Sequence, residues 1–224
     1  MGKGKLQGAI FDLDGVLVDT VPLHFAAWKR MFREYGKEIT FEDYKQKVDG
    51  IPRLDGARAF LADLPEAELH KAADRKQSYF LEQLEKQEIP VYDSTVRLMR
   101  ALRERGVKVA VISSSKNCPY VLRRIGVDKE LDLQISGSDI TKGKPDPQIF
   151  LLAVERLGLS PEACIVFEDA ALGVEAAKRA RMVCVGIDRH GDPERLRKAD
   201  WIVNDLDNVS MDQLEALLGK TGSP

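Results

Sequence analysis

The 224-residue chain carries 34 Lys and Arg against 36 Asp and Glu, and 44% of it is hydrophobic. That is apolar enough for a sizeable core, while a net charge of -2 without a basic block excludes nucleic acid as an expected partner. No run approaches a membrane span, and the N-terminus lacks the apolar region of a signal peptide, so a reduced cytoplasm is expected.

The first informative stretch runs from Ala9 to Thr20. A short apolar run, Ala9 to Phe11, stops abruptly at Asp12 and Asp14, with Gly15 next. That pattern predicts a buried strand feeding a loop. In an open α/β sheet this strand end is where ligands bind. Two neighbouring carboxylates repel unless a cation neutralises them, and oxygen ligands suit Mg²⁺. An acidic turn built from Asp and Gly is the plainer alternative.

After Thr20 the period becomes helical. Pro22 suits a first turn, Gly36 a stop, and Phe25, Trp28, Phe32 and Tyr35 share a face, with His24 at its edge. Thr40 predicts the start of a short helix with Asp43 as its capping-box partner. Asp49 to Gly56 is expected to be a loop, with Arg53 its one cation and the side chain best shaped to grip phosphate. Pro65 should open a long helix to about Lys86, striped by Leu69, Ala72, Ala73, Phe80 and Leu84. Lys76 falls on that stripe, either snorkelling outward or aimed into a cleft.

From Ile89 the α/β rhythm resumes. A helix from Asp93 or Ser94 to near Gly106 leads to a strand, Val107 to Ile112, of the apolar kind that parallel sheets need. It ends in Ser113-Ser114-Ser115-Lys116-Asn117, whose hydroxyls and backbone N–H groups precede a helix start and can hold an anion. A weak strand at Leu131 to Ile135, a rigid loop around Lys144 and a helix to Gly158 follow. The strand Cys164 to Phe167 again ends in carboxylates, Glu168 and Asp169. A helix from Ala170 to Arg181, strands at Met182 to Ile187 and Trp201 to Val203, and a helix from Ser210 to Leu218 close the chain. Met1 to Lys5 and Gly219 to Pro224 are expected to be loose ends. Cys118, Cys164 and Cys184 lie far apart without zinc spacing, the last two within apolar runs.

Three strand ends thus carry Asp12 with Asp14, Ser113, and Glu168 with Asp169. A parallel sheet brings such ends to one edge. The expected fold is therefore α/β: a Rossmann-like parallel core over 1–20 and 88–224, with an inserted helical domain over 21–87.

The segment Asp12-Leu13-Asp14-Gly15-Val16-Leu17-Val18-Asp19-Thr20 resembles the first motif of the haloacid dehalogenase superfamily. Ser113, Lys144 and the pair Glu168-Asp169 match its second, third and fourth motifs in order. Thr20, His24 to Lys29, Arg53, Arg75-Lys76 and Ser113 to Asn117 resemble the β-phosphoglucomutase subfamily more narrowly, and the helical insert resembles a C1 cap. Asp49 and Gly56 depart from the best-known mutases, which tend to carry Lys and Ser there.

This resemblance implies an aspartyl-phosphate at Asp12, acid/base work by Asp14 with Thr20 and His24 beside it, and Mg²⁺ held by Asp12, Asp14, Glu168 and Asp169, with Asp14 using its backbone carbonyl. It implies substrate contacts from Trp28, Arg53, Lys76, Ser113, Ser114, Lys116, Asn117 and Lys144. The expected substrate is a small sugar phosphate, with a bisphosphate intermediate, turned over by a monomer with neither nucleic acid nor membrane. A mutase interconverting β-D-glucose 1-phosphate and glucose 6-phosphate is the first reading. A sugar-phosphate phosphatase is the second, and a non-catalytic sugar-phosphate binder the third.

Overall fold

The computed structural model describes residues 5–189 and 191–221. Six parallel strands form one sheet in the order β3-β2-β1-β4-β5-β6. They are β1 (Gly8–Asp12), β2 (Lys108–Ile112), β3 (Leu133–Ile135), β4 (Cys164–Glu168), β5 (Val183–Ile187) and β6 (Trp201–Val203). β1 is central, with Phe11 in register with Val111 on one side and Phe167 on the other. Every residue of β1 and β4 is buried, as strands covered on both faces require.

Alternation along these strands sorts the core into two layers. Ala9, Phe11, Val109, Val111, Ile165 and Phe167 pack with Leu98 and Leu102 of α5 (Asp93–Glu104), Val121 of α6 (Cys118–Ile125) and Leu214 of α9 (Met211–Thr221). Ile10, Ala110, Ile112 and Val166 point the other way. They meet Phe150 of α7 (Gln148–Leu157) and Val174 of α8 (Ala171–Arg179). The rings of Phe11 and Phe167 stack at 4.3 Å between centroids.

Between β1 and β2 the chain forms α1 (Val21–Glu34), α2 (Phe41–Lys47), α3 (Arg53–Leu61) and α4 (Glu66–Lys86). This segment has its own apolar cluster, including Trp28, Met31, Phe32, Tyr44, Leu61, Leu69 and Ala72. Thr40 and Asp43 form the capping box that their spacing predicts, each side chain bonding the other's backbone N–H. Phe80 and Leu84, at the far end of the α4 stripe, join the main core instead.

Two expectations are corrected. The stretch from Arg53 to Gly56 is helical, the first turn of α3 behind Pro52 at its N-cap. Gly56 does not break this helix, because it lies against Trp28, whose Cζ2 would be 2.7 Å from an added Cβ. α9 also continues through Gly219 to Thr221 rather than fraying after Leu218. The rest of the expected loose ends, 1–4 and 222–224, lies outside the described residues.

The three cysteines are free and buried. Among the described residues no helix is long and apolar enough to cross a membrane.

Candidate active site

The C-terminal ends of β1, β2 and β4 deliver Asp12, Ser113 and Glu168-Asp169 to one edge of the sheet. Two glycines let the carboxylates approach. Gly15 turns the chain with φ +86°, and a Cβ there would collide with the Asp169 carboxylate. A Cβ on Gly173 would likewise strike the carboxylate of Glu168.

Lys144 is buried among these groups and donates to Asp12 Oδ1 at 2.6 Å and to Glu168 Oε2 at 2.7 Å. Burial and the nearby Glu168 push the Asp12 carboxyl upward, with Lys144 pulling against them. Asp169, also buried, is pushed up to about 7, with Lys45 pulling it back. The backbone N–H of Asp14 donates to Asp12 Oδ2 at 3.1 Å, leaving one Asp12 oxygen on the lysine and the other on this turn.

Asp12, Glu168 and Asp169 each offer a carboxylate oxygen within 4.8 Å of the others, which fits a divalent metal ion. An all-oxygen set of this charge, which the two glycine cradles let assemble, suits a hard divalent cation. The Asp14 side chain is not in that set; its carboxylate is occupied elsewhere.

Thr20 donates to Asp14 Oδ1, and Ser113 donates to Asp14 Oδ2 at 2.9 Å. His24 Nε2 stands 3.3 Å from Asp14 Oδ1, and its Nδ1 lies 2.7 Å from Lys76 Nζ. Burial raises the Asp14 carboxyl, but His24, Thr20 and Ser113 outweigh it and hold the group at about 2. Asp14 is therefore a carboxylate at neutral pH. Burial and the Lys76 ammonium push His24 below its usual value, so a neutral imidazole can accept from Lys76 and donate to Asp14.

A cavity of about 230 Å³ lies between the sheet edge and the helical segment. From the core it is lined by Asp12, Asp14, Ser113, Ser114, Lys116, Glu168 and Asp169; from the segment by His24, Trp28, Arg53 and Lys76. Arg53, half-buried, bonds Asp74 at 3.1 Å. Three expected site residues do not line the cavity but brace it. Thr20 and Lys144 bond the carboxylates, and Asn117 accepts from Gln77 Nε2 of α4 at 2.6 Å. Ser114 in turn donates to the Gly50 carbonyl at 2.7 Å, so segment and core are closed against each other.

Lys45 and Tyr44 enter this site without having been singled out by sequence, and Asp49 is marked there only as a departure from the mutase pattern. Lys45 Nζ pairs with Asp49 and lies 3.3 Å from Asp169 Oδ2; Tyr44 donates to Asp49 Oδ1 at 3.0 Å. A Lys and an Asp four apart at a helix end read as a solvated surface pair, and only the fold buries them.

The profile of the haloacid dehalogenase-like hydrolases matches residues 6–181. The chain is 36% identical over 237 residues to a protein of Mycobacterium bovis named beta-phosphoglucomutase, covering 90% of each. It is also 36% identical over 182 residues to the "phosphorylated carbohydrates phosphatase" of Thermotoga maritima, covering 78% of this chain and 82% of that one. The crystal structure of a beta-phosphoglucomutase from Clostridium difficile superposes with a TM-score of 0.88 at 26% identity, covering 96% and 98%.

Proposed function

The chain belongs to the haloacid dehalogenase-like hydrolase family, and on that premise we propose that it is a β-phosphoglucomutase working through Asp12. In one step the acceptor hydroxyl gives its proton to Asp14 as its oxygen bonds to phosphorus and the bond from phosphorus to Asp12 breaks. In the other an Asp12 oxygen bonds to phosphorus as the bond from phosphorus to the sugar oxygen breaks, and that oxygen takes back the proton held by Asp14. Asp14, held ionised by His24, Thr20 and Ser113, is suited to accept the proton of the acceptor hydroxyl. Lys144 restrains Asp12 and Glu168, and Ser113 acts mainly by fixing Asp14.

Mg²⁺ is the proposed metal, held by Asp12, Glu168 and Asp169. When bound it would offset charge on the transferring phosphoryl group. Residues 21–87 are proposed as a cap that closes over the sugar and keeps water from Asp12. The free cysteines accord with a cytoplasmic enzyme.

The observation that carries the mutase reading is that cations from both the core and the segment line one cavity, Lys116 from the core and Arg53 and Lys76 from the segment. A mutase must hold one phosphate while the far end of the same sugar reacts. The test is turnover of β-glucose 1-phosphate with a bisphosphate primer, following glucose 6-phosphate and free phosphate together. Glucose 6-phosphate in large excess is the expected result. Free phosphate alone would leave the phosphatase reading, which the Thermotoga maritima relative favours.

A further inference from the structure

Lys45 is the segment's charged tie to the carboxylate cluster among the described residues. It comes from α2, its side chain is 0% exposed, and its ammonium lies 3.3 Å from Asp169 Oδ2, 124 positions away in sequence. The other ties between segment and core do not reach the three clustered carboxylates: His24 meets Asp14, Arg124 bonds the Leu84 and Gln87 carbonyls, Ser114 bonds the Gly50 carbonyl, Gln77 bonds Asn117, and Pro52 lies against Gly143. Asp49 already gives Lys45 a local partner four residues on. The second contact is therefore not needed to satisfy the lysine.

We propose that Lys45 couples closure of the helical segment to occupancy of the carboxylate cluster, because its ammonium holds Asp169 only when the segment is closed. A divalent cation at Asp12, Glu168 and Asp169 and the ammonium of Lys45 then draw on the same carboxylate. Two like charges on one side chain repel, so each weakens the other. By linkage the effect is reciprocal: as much as closure lowers cation affinity, the cation favours opening. Buried ion pairs contribute little net stability, whereas a pair that breaks and re-forms across two bodies gives a switch. Lys45 is a positioning residue here, acting through Asp169. The inference rests on reading the three carboxylates as a divalent-cation site.

The experiment is calorimetric titration of Mg²⁺ into the phosphate-free protein, with amide hydrogen exchange over 48–56 read in the same samples. Lys45→Met should bind Mg²⁺ at least about fivefold more tightly than wild type, the lower end of ordinary allosteric coupling. Lys45→Arg, which keeps the charge, should resemble wild type. Mg²⁺ should raise exchange over 48–56 in wild type and leave it unchanged in Lys45→Met. The double variant Lys45→Met/Asp49→Asn carries the same expectation without a stranded Asp49 carboxylate, should the single variant fold poorly. Equal affinity in wild type and both Met variants overturns the coupling, as does binding to wild type with no change in exchange. Asp169→Asn tests the site itself. If Mg²⁺ binds wild type and not Asp169→Asn, the cation reading stands whatever Lys45 does; no binding to wild type overturns both.

Discussion

Lys76 and Asp14 are joined through one imidazole: Lys76 Nζ lies 2.7 Å from His24 Nδ1, and His24 Nε2 lies 3.3 Å from Asp14 Oδ1. The stack of His24 on Phe80, at 3.9 Å between centroids, fixes the ring in that bridge. The cation proposed for the distal phosphate is thereby tied to the carboxylate proposed to move the proton.

This tie has a pH signature. Burial pushes Lys76 down to about 7, with Asp14 pulling it up and Arg53 pushing it further down. As pH rises through 7 the free enzyme loses the Lys76 charge, and with it attraction for a phosphate. The kcat/KM for a sugar phosphate should fall above about pH 7, since that parameter reports free-enzyme ionisations. Lys76→Arg, whose guanidinium stays charged, should remove this alkaline limb. An identical limb in the variant would assign the ionisation to another group.

Asp12→Asn should lower turnover by at least about a thousandfold, on the scale of lost nucleophiles elsewhere. The amide is nearly isosteric but is not a carboxylate nucleophile. Lys144 keeps Glu168 as a partner, so the fold should hold, and circular dichroism with a thermal melt checks it. A well-folded variant with wild-type turnover would remove Asp12 from the mechanism.

Gly56→Ala sets two effects against each other. Inside a helix Ala is favoured over Gly by up to about 1 kcal/mol. Its Cβ, however, would sit 2.7 Å from Trp28 Cζ2 and 3.1 Å from Val48 Cγ1, and overpacking costs about 1–3 kcal/mol. Trp28 is buried and has little room to give. A net loss of about 1 kcal/mol is expected in denaturant unfolding; a more stable variant would show that Trp28 yields freely.

Gly56 also marks where sequence stops being legible. The β1 and β4 strands and their acidic ends could be read because burial on both faces imposes an unbroken apolar run, and a parallel sheet then fixes which ends meet. The capping box at Thr40 and the misplaced Lys76 on the α4 stripe were legible for the same local reason. Gly and Pro near Arg53 signal a loop only if nothing packs on them. A tertiary contact with Trp28 makes the glycine a spacer inside α3 instead. Lys45 and Asp49 failed differently: charge pairs at helix spacing are ordinary on surfaces, and their burial beneath the closed segment is a property of two bodies meeting. Lys144 and Ser113 were found as site residues, but the carboxylates they bond, Asp12 and Glu168 for the lysine and Asp14 for the serine, needed coordinates.

The last prediction separates recognition of the far phosphate from closure. Arg53 lines the cavity, and the partner it bonds, Asp74, is 75% exposed. Arg53→Ala should therefore remove a charge-assisted contact to substrate and little else, a loss of roughly 1.5–3 kcal/mol, or about tenfold to 150-fold in the isomerisation. Hydrolysis of a small generic phosphate ester, which has no second phosphate, should barely change. Lys76→Ala should be less selective, since it also takes a partner from His24 and so disturbs Asp14. Gly143→Ala touches no charge, but its Cβ would run into the Pro52 ring and hold the segment off the core. That variant should lose isomerisation and keep ester hydrolysis, and with water readmitted it should release more free phosphate per sugar turned over. The measurement is the three rates, isomerisation, ester hydrolysis and phosphate release, in each variant against wild type. If Gly143→Ala isomerises as well as wild type, closure of this segment is not part of the reaction; if Arg53→Ala slows the small ester as much as the sugar, Arg53 serves the fold rather than the far phosphate.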